Sequence, residues 1–240
     1  MRNSIWQVFY RYSFCLLLFA AASCDTTIKT DDAIVGEAVP KKKISEAPQQ
    51  IFTIDTAKSE VTWIGAKMTG RHNGWFYVQG GEIHRSKGLV TGGTIVLNMA
   101  ATRSDDKRID AENNRKLTKQ LRSADFFDVE RYPTAVYELT DVAPYDSSGQ
   151  KSAAAKYSEL RVKNPTHRIT GNLTIKGQTK SVTFPARITF EDGILHAKAN
   201  FNLDRTKWGL VYRSDESLGD KTIYPEVNIG FNIVAREQTP

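Results

Sequence analysis

The chain of 240 residues is 25% charged and 40% hydrophobic, which excludes a wholly disordered polymer and a polytopic membrane protein. Its 16 glycines and 8 prolines follow no triplet period and no long segment recurs, so collagen-like and solenoid architectures are excluded as well. Lys and Arg number 33 against 27 Asp and Glu, a net charge of +6, which is compatible with an anionic partner and names none.

Residues 1–23 carry Arg2 and Arg11, no acid, and then an apolar run from Phe14 to Ala22 that ends in small residues. This is the order of a cleaved secretory signal. The run is shorter than the roughly 20 apolar residues a spanning helix needs. Ala21-Ala22-Ser23-Cys24 is similar to a bacterial lipobox, which implies cleavage before Cys24 and lipidation of its thiol; the alternative is ordinary cleavage that leaves a soluble periplasmic protein. Two acyl chains on one residue hold a protein at a membrane without spanning it. Cys15 and Cys24 are the whole cysteine complement, so a disulfide framework, a CxxC redox pair and a cysteine zinc site have no material. Residues 24–50 are therefore expected to be the lipidated cysteine and a flexible tether. From Asp25 to Gln50 the chain is polar and aperiodic, and Lys41-Lys42-Lys43 reads as a solvated run. Asp25 leaves open which membrane is used, periplasm-facing or outer-membrane anchored.

From Ile51 the dominant signal is alternation of apolar and polar residues, which places successive side chains on opposite faces of a strand. Expected strands cover 61–67, 75–79, 94–99, 134–140, 168–176, 182–190, 195–203 and 227–233, with a shorter one around 160–163. Val182, Phe184, Ala186, Ile188 and Phe190 share one face; so do Leu195, Ala197, Ala199, Phe201 and Leu203, opposite His196, Lys198, Asn200 and Asn202. Lys176-Gly177-Gln178 and Asp192-Gly193 are hairpin turns. Between these strands, Asp110 to Ser123 reads as one short helix with Asp110 as N-cap and Leu117 and Leu121 on one face. Its basic residues read as a solvated face, without the aromatic platform of a nucleic-acid site. Pro144 to Lys156 reads as a hairpin insert. The expected fold is all-β, an antiparallel up-and-down β-barrel of about eight strands, with a two-sheet sandwich as the alternative.

Several segments in order resemble the YceI-like family of exported, lipocalin-type proteins. They are Phe52-Thr-Ile54-Asp55, Gly70-Arg-His72-Asn-Gly74-Trp75-Phe76, Ser123-Ala-Asp125-Phe126-Phe127-Asp128, Gly171-Asn172-Leu173-Thr174-Ile175-Lys176-Gly177, and Asp204-Arg205-Thr-Lys-Trp208-Gly209-Leu210. The resemblance runs from about Phe52 to Ala235 within an expected domain of residues 51–237. It implies a lipocalin-like barrel that binds an isoprenoid lipid of quinone or polyprenol type.

If the dry face points inward, Trp63, Phe76, Leu97, Tyr137, Leu173, Phe184, Ile188, Phe201 and Phe231 line the lumen, and Phe126, Phe127 and Trp208 serve as lid, rim or plug. By pattern alone the same residues suit a filled core; the resemblance implies a ligand cavity. The alternative function is then a structural or envelope-stress lipoprotein that acts through protein contacts. An enzyme is not expected. His72, His84, His167 and His196 are scattered without metal-ligand spacing, GxSxG and HExxH are absent, and Asp204 with Arg205 reads as a structural ion pair. His72 reads as structural or mouth-lining. No cofactor, metal or nucleic acid is expected, a homodimer is compatible with the sequence, and contact with the membrane runs through Cys24.

Overall fold

The computed structural model describes residues 26–40, 49–146 and 160–238. The signal segment, Cys24, Lys41 to Lys43 and most of the 144–156 insert lie outside the described residues. Among the described residues eleven strands occur in chain order: β1 (Asp31–Asp32), β2 (Ile34–Glu37), β3 (Gln50–Ile54), β4 (Glu60–Lys67), β5 (Gly70–Ser86), β6 (Leu89–Ser104), β7 (Thr134–Pro144), β8 (His167–Ile175), β9 (Gln178–Glu191), β10 (Ile194–Asp204) and β11 (Ile223–Glu237). One α-helix, α1 (Ala111–Arg122), lies between β6 and β7.

Strands β4 through β11 each pair antiparallel with the next, and β11 pairs back onto β4. This closes an up-and-down barrel and removes the sandwich alternative. Strand β3 sits end to end with β4 in one strand position, since both lie between β11 and β5. The long pair β5 and β6 coils around the wall through register shifts, which bend a strand and increase its twist. Gly81 and Gly93 stand at positive φ there, and a Cβ on Gly81 would meet Thr94 O at 2.0 Å. Only glycine fits that bend.

The seam between β9 and β10 is different. Their ladder runs only from Glu191↔Ile194 to Arg187↔Lys198. Beyond it, β1 pairs parallel with Phe201 and Asn202 of β10, while β2 pairs antiparallel with residues 180–183 of β9. The segment expected to be tether is thus, over residues 31–37, part of the wall. Arg161 grips Asp31 with both Nε (2.8 Å) and Nη2 (2.9 Å). The strand expected at 160–163 is absent, and those residues are turn and bend. Thr30 donates to Asn200 O at 3.1 Å, and Ile28 is buried. Beneath this cover the Asn200 and Asn228 amides exchange two hydrogen bonds of 3.0 Å. These asparagines lie on the polar outer face, yet the N-terminal segment buries them.

Helix α1 forms as its caps dictate. The Asp110 carboxylate accepts from Asn113 N at 2.7 Å, and Ser123 N donates to Gln120 O at 3.1 Å. Leu121 is buried and Leu117 packs against the same core, so the helix lies across one end of the barrel.

Candidate functional site

The inward faces of the strands enclose a cavity of about 460 Å³, within the roughly 300–1,000 Å³ typical of small-molecule sites. All twelve candidate residues border it. Alternation accounts for this convergence: strand after strand sends every second side chain to one side, and closure turns that side into a lumen. Tyr137, Phe184, Phe201 and Phe231 form a cluster across β7, β9, β10 and β11. The Phe184 and Phe201 rings stack at 4.1 Å and 11°, and Phe231 stands edge-on to Phe184 at 5.5 Å. Tyr137 Oη donates to Val182 O at 3.2 Å, and burial pushes its phenol pKa upward. Leu97, Leu173 and Ile188 line the same cavity. Trp63 on β4 crosses Gly74 of β5, where a Cβ would meet the indole at 2.6 Å.

Phe126, Phe127 and Trp208 line the cavity together with Leu117, Gln120 and Leu121 of α1. Phe127 meets Phe76 edge-on at 5.6 Å, and Phe126 tilts against Tyr212 at 5.3 Å. Trp208 is fully buried, its indole N–H donating to Leu173 O at 2.9 Å. All three are fixed by packing.

The lumen opens at one end. The exposed lining residues are Thr69, Arg213, Asp220 and Lys221, contributed by the β4–β5 turn and the loop before β11. Lys67, His72 and Gln120 complete this polar mouth. His72 Nδ1 lies 2.7 Å from Asp106 Oδ2. The Asp106 carboxylate also accepts from Arg108 N at 3.0 Å and Nε at 2.8 Å. Burial opposes its ionisation, but the Arg108 and His72 hydrogen bonds outweigh it and hold the carboxyl well below its ordinary pKa.

Asp204 and Arg205 do not form the expected ion pair. Asp204 caps the following turn by accepting from Thr206 N at 2.9 Å and lies 3.7 Å from Lys207 Nζ. The buried Arg205 guanidinium instead donates to the carbonyls of Leu210, Tyr212 (3.0 Å), Ile223 (2.8 Å) and Tyr224 (3.3 Å). It pins the mouth loop to β11. Of the other histidines, His84 meets Glu82 at 2.8 Å and His167 meets Thr166 at 2.8 Å, and neither borders the cavity. Among the described residues no group of three or more His, Cys, Asp or Glu could hold a metal ion. The mouth residues Thr69, Arg213, Asp220 and Lys221 were not legible in the sequence, because turns and loops carry no periodic signal, and Lys67 and Gln120 were not because periodicity marks apolar faces and not the polar residues at an element's end.

Comparison with known proteins agrees with this architecture. Residues 52–235 match the sequence family described as YceI-like domain. A UPF0312 protein from Vibrio cholerae serotype O1 is 30% identical over 141 residues, which are 56% of this chain and 61% of the relative. The chain thus spans less than two thirds of the length of the curated relatives it matches. A UPF0312 protein from Azotobacter vinelandii is 38% identical over 79 residues, 33% of this chain and 32% of the relative. Among solved structures, Burkholderia cenocepacia BcnA superposes with a TM-score of 0.56 at 21% identity, over 76% of this chain and 99% of that one. A polyisoprenoid binding domain from Saccharophagus degradans, described as implicated in plant cell wall breakdown, superposes with a TM-score of 0.53 at 11% identity, over 78% and 98%. Both similarities are of fold.

Proposed function

The chain belongs to the YceI-like family, and from that premise we propose that it is an exported, membrane-anchored lipid-binding protein holding an isoprenoid of quinone or polyprenol type in its barrel. The observation that carries this reading is the apolar cavity inside a closed wall, bordered by rings and branched aliphatic side chains with polar groups gathered at one mouth. Such a site suits a hydrocarbon tail, which needs no directional partner, with a polar head left at the opening. At about 25 cal/mol per Å² of apolar surface removed from water, a few isoprene units supply ample driving force. The Saccharophagus degradans protein's description as a polyisoprenoid binding domain supports the same ligand class. The open interior speaks against the filled-barrel alternative. Export and anchoring rest on the signal-like segment and Cys24, with the cell envelope as location and binding, without turnover, as the activity.

The test is purification of residues 25–240, which lack Cys24 and its lipid, from a bacterial envelope without detergent, followed by organic extraction and mass spectrometry. A stoichiometric isoprenoid is the expected result; an empty protein that takes up neither added quinone nor polyprenol sinks the proposal. Phe184→Asp and Phe201→Asp should abolish retention, whereas Lys198→Asp, on the exposed face of β10, should retain it.

A further inference from the structure

We propose that the open end of the barrel docks on a phospholipid bilayer, mouth first. The inference rests on the carrier reading for its purpose but stands on separate geometry.

Three large apolar side chains are exposed around the mouth: Met68 at 53%, Val211 at 57% and Leu218 at 42%. Met68 lies between the lining residues Lys67 and Thr69, Val211 lies two residues before Arg213, and Leu218 lies two before Asp220. None of the three borders the cavity. The backbone beneath them is fixed. Ile223 pairs with Lys67, its N–H donates to Arg213 O at 2.8 Å, Ser214 N donates to Val211 O at 3.1 Å, and Arg205 braces the loop from inside. An apolar fringe held rigidly around a ligand opening is the arrangement of an interfacial site. Lys67, Arg213 and Lys221 stand among these side chains, but Asp215, Glu216 and Asp220 on the same loop offset them. Apolar insertion therefore carries the docking, and its dependence on salt is weak.

The second observation is where the chain enters the fold. The Thr26 hydroxyl donates to Lys67 O at 2.6 Å, so residue 26 is held at the rim. Cys24 is two residues earlier, and two residues of chain span at most about 7 Å. A lipid on Cys24 would join the chain within that reach of residue 26, which favours a barrel held mouth toward the membrane. A tether of the length expected from composition would have left the orientation free.

The experiment uses the full chain, reconstituted on phosphatidylethanolamine and phosphatidylglycerol vesicles, with a photoreactive side chain in place of Val211, of Leu218, or of Lys198 on the outer wall. Cross-links to lipid from positions 211 and 218, none from 198, and little change on adding salt are expected. Equal lipid labelling from 198 overturns the proposal, as do cross-links from 211 and 218 to a second copy or another protein. The triple variant Met68→Asn, Val211→Asn, Leu218→Asn should keep its extractable lipid and lose transfer of that lipid to acceptor vesicles; unchanged transfer overturns the proposal. A chain that cross-links lipid from 218 yet yields no extractable isoprenoid refutes the carrier reading and leaves docking intact. Extractable isoprenoid with equal labelling from 198 does the reverse.

Discussion

Phe184 and Phe201 stack face to face at 4.1 Å across the one place where their strands, β9 and β10, no longer share a ladder. Extending the register by three residues from Arg187↔Lys198 sets these two opposite each other, so the rings continue inside what the backbone has stopped doing. Outside, residues 31–37 hydrogen-bond to both strands. The seam therefore has an aromatic inner layer and a borrowed outer one.

Phe201→Ala removes one leaf of that stack. Loss of the transfer energy plus the cavity left behind should cost about 3–5 kcal/mol. Urea unfolding of the purified protein measures it, and a cost under about 1 kcal/mol would mean that the seam repacks freely.

Ile28 tests the outer layer, because it is buried where the N-terminal segment crosses the barrel. Ile28→Ala should lower stability by about 2 kcal/mol, the low end for a core truncation. A freely moving tether would show an unmoved thermal midpoint instead.

Asp106 sets an acid limit on the mouth. Its folded pKa lies below the roughly 3.9 of an unfolded aspartate, so its contribution is fully present above that value and is lost as pH falls toward the folded pKa. Asp106→Asn should cost about 1–3 kcal/mol near neutrality and flatten the fall in stability below about pH 4. Unfolding midpoints taken across that range decide it; parallel curves for the two proteins would remove Asp106 from the acid response.

Arg205 holds the mouth loop through four carbonyls. Arg205→Gln leaves several of them without donors, at a cost of about 1–3 kcal/mol, concentrated in that loop. Hydrogen exchange at the Ile223 amide, which donates to Arg213 O at 2.8 Å, should quicken while exchange at the β8–β9 ladder does not. Uniform acceleration at both would show that Arg205 supports the whole fold and not the loop.

Much of the wall was legible in the sequence. The residues 182–190 and 195–203 alternate so regularly that the inner face could be written down, and Asp110 announced the helix it caps. The segment β1–β2 was not legible. Asp31, Asp32 and Gly36 have poor strand propensity, and nothing local reveals that β9 and β10 part and leave ladder positions to fill. Arg205 misled for a similar reason: beside Asp204 in sequence it reads as an ion pair, whereas its guanidinium turns to carbonyls up to 19 residues away.

By itself the sequence determined which side chains share a face, where the turns and the helix fall and which segments resemble a family, because those signals are written in residues a few positions apart. Only the tertiary structure decided that the interior is open, that the mouth lies between the β4–β5 turn and the loop before β11, and that the N-terminal segment is wall. Each of these depends on partners far apart in the chain, as Thr30 is from Asn200 by 170 positions. A two-residue period says which way a side chain points; what it meets there is set only when the barrel closes.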